Sequence, residues 1–240
     1  MDELAAEFSI TIITFYKAED GALVNRFNAV IFDLDGTLAD TFPLVVGAFN
    51  YAVKSRLDRE YTLDELKKYF GPPEIEILRR LFPSPADHES AIDSFHQFNN
   101  ERKELIKRVP GMRELLSKLK DRGIHRAVYT GAGHRAGSDR VNHLGLSDLF
   151  EVVLGGDEVS NYKPHPEGIN QILADWDVNA DRAAFVGDSV VDVEAGHAAA
   201  VTAVAVTWGI ASIDKLIAVS PDYICHAVGE LEEVLLQEIK

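Results

Sequence analysis

The sequence predicts an α/β fold in which a Rossmann-like parallel sheet carries helices on both faces and an all-helical segment is inserted near its start. Two observations support this prediction. Short apolar runs alternate with helix-length segments over most of the chain, which is typical of parallel strands joined by crossover helices. Between residues 40 and 107 the alternation stops and apolar residues recur at helical spacing throughout.

The elements follow in order along the chain. Residues 9–16 alternate partly between Ile or Phe and Thr, which predicts an extra strand before the first core strand at residues 29–31. A helix is predicted from Pro110, because Met112, Leu115, Leu116 and Leu119 share one face and Gly123 ends it. Further strands are predicted at residues 126–129, 151–154, 183–186 and 202–206, with helices beginning near Pro166 and Val190.

The inserted segment has helical signals of its own. Thr62 and Glu65 match a capping box, and Ile75, Leu78 and Leu81 recur at helical spacing. An apolar stripe precedes them, formed by Leu44, Val45, Ala48, Phe49, Ala52 and Val53. The predicted division is an N-terminal extension of residues 1–26, a core of residues 27–39 and 108–240, and a helical insertion of residues 40–107.

Composition excludes several classes of protein. The 240 residues include 39 acidic and 24 basic side chains, and the formal net charge of −15 argues against nucleic acid or an anionic membrane as a partner. The single cysteine, Cys225, excludes an intrachain disulfide and fits a reducing compartment. The acidic first residues are unlike a secretory signal, and no apolar stretch is long enough to span a membrane. We therefore predict a cytoplasmic protein, either a monomer or a homodimer.

Two carboxylates follow the first core strand in the hexapeptide Phe32-Asp33-Leu34-Asp35-Gly36-Thr37. Because alternate residues of an extended chain share a face, Asp33 and Asp35 are expected to point toward one site. Two carboxylates this close repel each other unless a cation lies between them or one of them is protonated and works as an acid.

Three more motifs follow predicted strands. Thr130 precedes Gly131-Ala132-Gly133, so its hydroxyl and the next N–H groups are expected to hold phosphate oxygens. Lys163 supplies a positive charge that balances carboxylates and phosphate. Asp188 and Asp192 offer the hard oxygen ligands that Mg²⁺ prefers. Since ligands bind at the carboxyl ends of parallel strands, all four motifs are expected to meet there.

The motifs Asp-x-Asp-Gly-Thr, Thr, Lys-Pro and Gly-Asp-Ser-x-x-Asp, in this order, resemble those of the haloacid dehalogenase superfamily of phosphohydrolases over residues 27–210. Thr130-Gly131 and Trp208-Gly209 resemble dipeptides found at these places in the phosphoglycolate phosphatase and pyrophosphatase-like branch of that superfamily. The resemblance implies Mg²⁺-dependent hydrolysis of a small phosphorylated metabolite, either a phosphoglycolate-like monoester or pyrophosphate. It also implies that residues 40–107 form a cap that closes over the active site.

The resemblance implies a role for each acidic residue. Asp33 is expected to be the nucleophile that forms an aspartyl-phosphate, and Asp35 the general acid and base. The metal ligands are expected to be the side chains of Asp33 and Asp188 and the backbone carbonyl of Asp35. Asp192 is expected to hold either a metal-bound water or Lys163.

The residues expected to bind the transferring phosphoryl group are Thr130, Gly131 and Lys163. His134 follows the same loop and is a further candidate for contact with the substrate. In the insertion, Glu74 either faces the substrate or simply begins a helix after Pro72-Pro73. Arg79 and Arg80 either bind a second anionic group of the substrate or lie in solvent.

Taken singly, each of these residues has a purely structural explanation. An Asp or Thr after a strand is often a helix N-cap, an acid is favoured in a first turn, and a lysine is often a solvated charge. Only the four motifs in order argue against these explanations.

Other functions use similar residues. A sugar phosphomutase would use the same Asp33 and Asp35 but keep the phosphoryl group for return transfer. A haloacid dehalogenase is disfavoured because its chemistry needs neither a carboxylate at position 35 nor a metal. A signalling receiver domain does not fit the helical insertion. A non-enzymatic phosphate-binding protein stays an alternative, since structural ion networks also group charges.

Overall fold

The computed structural model describes residues 24–239 apart from residues 55, 56, 58 and 83. The extra strand predicted at residues 9–16 lies outside the described residues. In chain order the strands are β1 (Val24–Asn25), β2 (Ala29–Phe32), β3 (Ala39–Asp40), β4 (Lys107–Arg108), β5 (His125–Tyr129), β6 (Val152–Leu154), β7 (Ala183–Gly187), β8 (Thr202–Val206), β9 (Tyr223–Cys225) and β10 (Glu238–Ile239).

The longer connections are helical. The helices are α1 (Phe42–Val53), α2 (Leu63–Leu66), α3 (Glu74–Leu81), α4 (Pro85–Glu101), α5 (Met112–Asp121), α6 (His134–His143), α7 (Glu167–Trp176), α8 (Val190–Ala198), α9 (Ile213–Ala218) and α10 (Val228–Leu235). None of these helices is both long enough and apolar enough to cross a bilayer within the described part of the chain.

Six strands form the central sheet in the order β6-β5-β2-β7-β8-β9, and every neighbouring pair is parallel. The predicted α/β class is therefore confirmed. Strand β9 was not predicted from the sequence. Outside this sheet, β1 pairs with β10 in a short antiparallel ribbon.

Apolar layers cover both faces of the sheet. Val30 and Phe32 of β2 pack into one buried cluster, whereas Ala29 and Ile31 pack into another on the opposite face. This separation follows from the alternation of side chains along a strand, and it requires helices on both faces. Helix α5 contributes the predicted apolar face to the first cluster, formed by Met112, Leu115, Leu116 and Leu119.

Helices α1 to α4 pack around an apolar cluster of their own. The rings of Phe49 and Phe95 meet edge to face at its centre, with centroids 5.0 Å apart. Thr62 and Glu65 form the predicted capping box of α2. Helix α3 buries Ile77 and Leu78.

A two-stranded ribbon lies where the helical segment leaves and rejoins the sheet layer. Ala39 pairs with Arg108, and Asp40 pairs with Lys107. The indole N–H of Trp208 donates to the carbonyl oxygen of Thr37 at 3.0 Å, just before this ribbon. We retain the division at residues 40 and 107 as a proposal, and we refer to residues 40–107 as the cap.

Candidate active site

Three predicted site residues lie at the carboxyl ends of adjacent strands. Asp33 follows β2, Thr130 follows β5 and Asp188 follows β7, and β2 lies between the other two strands. The amide of Asp33 continues the ladder by donating to the carbonyl oxygen of Val186 at 2.8 Å. All three side chains are buried, so the sheet brings polar groups together beneath the cap.

Lys163 joins two of the carboxylates. Its ammonium group donates to Asp33 Oδ1 at 2.6 Å, to Asp192 Oδ1 at 2.7 Å and to the carbonyl oxygen of Tyr129 at 3.3 Å. Burial alone would lower the pKa of Lys163, but Asp192 and Asp33 outweigh burial and raise that pKa above its usual value. Lys163 is therefore a permanent positive charge at the centre of the site.

Asp33, Asp188 and Asp192 form a tight group of carboxylates. One oxygen from each lies within 4.8 Å of the others, and all three side chains are buried. Burial and the neighbouring carboxylates raise the pKa of Asp188 well above its usual range. Burial also raises the pKa of Asp33, although Lys163 opposes this effect. The ionised carboxylates are thus destabilised by more than Lys163 alone offsets, so either a bound cation or a proton would stabilise the group.

The donor chemistry of this group fits Mg²⁺, which takes hard oxygen ligands. Asp188 Oδ1 accepts a hydrogen bond from Thr37 at 3.2 Å, and its Oδ2 accepts one from the amide of Ile210 at 2.6 Å. A Cβ atom at Gly209 would lie 2.0 Å from Asp188 Oδ2, and one at Gly36 would lie 2.2 Å from it. Only glycine at these two positions leaves room for the Asp188 carboxylate.

Asp192 is held differently from the other two acids. Its Oδ1 accepts from Lys163, while its Oδ2 accepts from the amide of Ser189 at 3.1 Å and from the Ser189 hydroxyl. Asp188 also accepts a hydrogen bond at each oxygen, but only Asp192 of these two is paired with Lys163, which fits the predicted role of Asp192 in holding that lysine.

Asp35 turns its carboxylate away from this group and toward Arg140. Nη1 of Arg140 lies 2.8 Å from both carboxylate oxygens of Asp35, and the hydroxyl of Thr41 donates to Oδ1. Thr130 Oγ1 is 3.4 Å from Asp35 Oδ2. Arg140 is 4% exposed and also reaches the cap, where its Nη2 lies 3.4 Å from Asn99 Oδ1.

The loop after Thr130 is already engaged by protein groups. The amide of Ala132 donates to Thr130 Oγ1 at 3.1 Å, that of Gly133 to Glu74 Oε2 at 2.8 Å, and that of His134 to Asp157 Oδ1 at 2.7 Å. Three of the N–H groups predicted to hold phosphate therefore serve internal contacts in this structure. Gly131 does line the cavity described next.

A cavity of about 350 Å³ lies between the strand ends and the cap. Asp33, Asp35, Lys163, Asp188 and Asp192 all line it. Beside it, the cap contacts the sheet layer through Glu74 and Gly133, through Asn99 and Arg140, and through a 3.1 Å hydrogen bond from the Tyr162 hydroxyl to Glu76. The cavity is thus bounded by the predicted catalytic residues on one side and by cap side chains on the other.

A comparison with protein families matches residues 30–206 to the haloacid dehalogenase-like hydrolases. The chain belongs to this family. The predicted superfamily and the prediction of a hydrolytic enzyme are confirmed.

The chain is also similar to individual relatives and solved structures. Pyrophosphatase PpaX of Listeria monocytogenes is 28% identical over 218 residues, covering 90% of this chain and all of the relative. A predicted phosphatase from Clostridium acetobutylicum is 26% identical, with a TM-score of 0.73 over 88% of this chain and 98% of the other. A predicted phosphoglycolate phosphatase from Haemophilus somnus shares the fold, with a TM-score of 0.80 at 23% identity over 87% of this chain and 98% of the other.

The structure also places the remaining candidate residues of this hydrolase. His134 is outside the cavity, and its Nδ1 pairs with Glu158 Oε2 at 2.8 Å on the exposed surface. Arg79 and Arg80 are also exposed and do not line the cavity. Glu74 does line it, in addition to its contact with Gly133.

Arg140 lies in the candidate site but was not predicted from the sequence. It lies on the buried face of α6 together with Ala136, Gly137 and Val141. A charged residue within an apolar helical stripe was the signal that could have identified it, because a buried arginine needs an anionic partner.

Proposed function

We propose that this hydrolase is a Mg²⁺-dependent phosphatase that cleaves a small phosphorylated metabolite through an aspartyl-phosphate intermediate. The observation that carries the proposal is the contact of Lys163 with Asp33 and Asp192, beside Asp188, at the ends of adjacent parallel strands. Relatives named as a pyrophosphatase and a phosphatase support the reaction class. Phosphoglycolate-like monoesters and pyrophosphate are the substrates that the resemblance puts forward. We also propose a cytoplasmic location.

Asp33 is the nucleophile in this proposal. Lys163 holds its Oδ1, and its other oxygen attacks phosphorus in line, so that the new bond joins Asp33 to phosphorus as the bond to the leaving oxygen breaks. Water then attacks the aspartyl-phosphate, which releases phosphate and regenerates Asp33. Lys163 and Thr130 stabilise the phosphoryl oxygens in both steps.

Asp35 moves the protons. It donates one to the leaving oxygen in the first step and takes one from the attacking water in the second. In this structure Arg140 Nη1 lies 2.8 Å from both Asp35 oxygens. The proton that Asp35 donates in the first step is the one it took from water in the preceding cycle. Asp35 therefore keeps one oxygen on Arg140 and directs the other to the substrate's leaving oxygen.

Asp33 and Asp188 would hold Mg²⁺ with their side chains, and Asp35 with its backbone carbonyl. When bound, the ion offsets the charge of the carboxylates and of the phosphoryl oxygens that approach them. This offset is needed because the chain as a whole is strongly acidic.

The test is phosphate release from phosphoglycolate, pyrophosphate, sugar phosphates and nucleotides, with and without Mg²⁺. Asp33→Asn should lower the rate by at least about 1,000-fold, since removal of a covalent nucleophile leaves only binding and charge stabilisation. Asp214→Asn is the matched control, because Asp214 is exposed on α9 and does not line the cavity. No release from any compound by folded, Mg²⁺-loaded protein would overturn the hydrolase proposal. Return of the phosphoryl group to the sugar, without rapid phosphate release, would favour the phosphomutase.

A further inference from the structure

The cap side of the cavity, opposite the strand ends, is apolar and largely aromatic. We call its cap residues the roof, namely Phe42, Val45, Phe49, Phe70, Ile77 and Phe95. Phe49 and Phe95 are 1% exposed and packed edge to face, so this surface is fixed by the core of the cap. A leaving group that extends from the phosphoryl site toward the cap contacts hydrocarbon there.

The cations that line the cavity already have anionic partners or lie at its rim. Lys163 is balanced by Asp33 and Asp192, and Arg140 by Asp35. The other two lining cations are Lys67, which pairs with Asp64 at 3.0 Å, and Lys215, which is exposed. Among the described lining residues, a carboxylate or second phosphate on the leaving group therefore finds no buried, unbalanced cation.

Glu74 adds negative charge to the same surface. Its carboxylate is 6% exposed and lines the cavity, and its Oε1 is buried without a hydrogen-bond partner among the described residues. A buried carboxylate oxygen repels an anionic group and accepts a hydrogen bond from a donor. Both the apolar roof and Glu74 thus disfavour a negatively charged leaving group.

We propose that the substrate of this site is a phosphate monoester whose leaving group is apolar, uncharged or cationic, and small enough for the cavity of about 350 Å³. The inference rests on the proposed function and specifies its substrate class. It places glycolate and phosphate, as anionic leaving groups, among the poorer substrates. Removing hydrocarbon from water then supplies the binding energy that distinguishes substrates.

The test is a series of n-alkyl phosphates from ethyl to hexyl, with kcat/KM measured for each in the presence of Mg²⁺. Each added methylene should raise kcat/KM by about three- to fourfold until the chain fills the cavity. Isobutyl phosphate and phosphoglycolate form a matched pair, because an isopropyl group replaces the carboxylate at similar shape. Isobutyl phosphate should be the better substrate by at least about tenfold.

The outcomes separate the two proposals. Turnover with a flat alkyl series, or with phosphoglycolate or pyrophosphate as the better substrate, overturns the apolar leaving group and leaves the phosphatase intact. No turnover of any compound by folded, Mg²⁺-loaded protein overturns the phosphatase proposal and the inference with it.

A roof variant locates the effect. Phe70→Ala should flatten the alkyl series, because Phe70 is 36% exposed, lines the cavity and can be removed without opening the cap core. Tyr69→Ala is the matched control, since Tyr69 is 37% exposed and does not line the cavity. An equal slope in Phe70→Ala and the parent protein, with circular dichroism showing both folded, would overturn the assignment to the roof.

Discussion

The floor of the cavity and its roof differ in how their side chains are held. We define the floor as the lining residues Asp33, Asp35, Lys163, Asp188 and Asp192 together with Thr130, which does not itself line the cavity but lies 3.4 Å from Asp35. Every one of these residues has a charged or hydrogen-bonding partner. The roof is held by apolar packing, as the contact of Phe49 with Phe95 shows. Directional contacts fix the reacting groups to within a narrow geometry, whereas apolar contacts set only size and shape. We therefore propose that the floor determines the reaction and that the roof determines the choice of leaving group.

The variant with the largest expected effect on this contrast removes Lys163, the central positive charge of the floor. In Lys163→Met, Asp33 and Asp192 stay buried without their cation, so the free energy of unfolding should fall by about 3–5 kcal/mol. Urea denaturation with a chelator present measures this effect without interference from metal. Activity with Mg²⁺ should be lost as well.

Lys215→Met is the matched control, because Lys215 lines the rim of the cavity but is exposed. Its stability should stay that of the parent protein. If both variants have the same urea midpoint, the ion network does not hold the floor together, and the contrast with the roof fails.

The second test concerns the residue that links floor and cap. Arg140→Leu removes the partner of Asp35, so the proton-transfer residue loses its fixed position. We expect kcat to fall by about 10- to 100-fold with a smaller change in KM, the signature of a positioning residue rather than a substrate ligand. Arg135→Leu, on the exposed side of the same helix, should leave both constants near those of the parent protein. A rise in KM alone would instead assign Arg140 to substrate binding.

The floor was predictable because its signals are local. Asp33, Thr130 and Asp188 each follow an apolar run, and parallel strands bring their carboxyl ends together whatever the rest of the chain does. The sheet itself was predictable from another local pattern, the alternation of apolar runs with helix-length segments. The resemblance to a known family then assigned roles that the spacing left open.

The contacts of Arg140 depend on tertiary structure. Its partner Asp35 is 105 residues away in sequence, and nothing near Arg140 in the chain indicates that contact. The roof has a related problem. Helical spacing shows that Val45 and Phe49 share a face, but it does not show whether that face meets the cap's own core or a cavity. In this structure Val45 and Phe49 belong both to the core of the cap and to the lining of the cavity.

The smallest test concerns the place where floor and roof meet. Glu74→Gln keeps a hydrogen-bond acceptor for the Gly133 amide but removes the negative charge that strengthens this bond across the cavity. Losing about 1 kcal/mol from the closed state should raise KM about fivefold for isobutyl phosphate and speed hydrogen exchange at Gly133.

Glu89→Gln, on the exposed side of α4, controls for the change in net charge. The two possible roles of Glu74 predict different changes in substrate preference for Glu74→Gln. If Glu74 acts only by closing the cap, isobutyl phosphate and phosphoglycolate change together. If its charge also rejects anions, phosphoglycolate improves relative to isobutyl phosphate, because the repulsion is lost while the apolar surface of the roof is unchanged. A selective gain for phosphoglycolate would therefore show that Glu74 adds an electrostatic limit to the shape and hydrophobicity set by the roof.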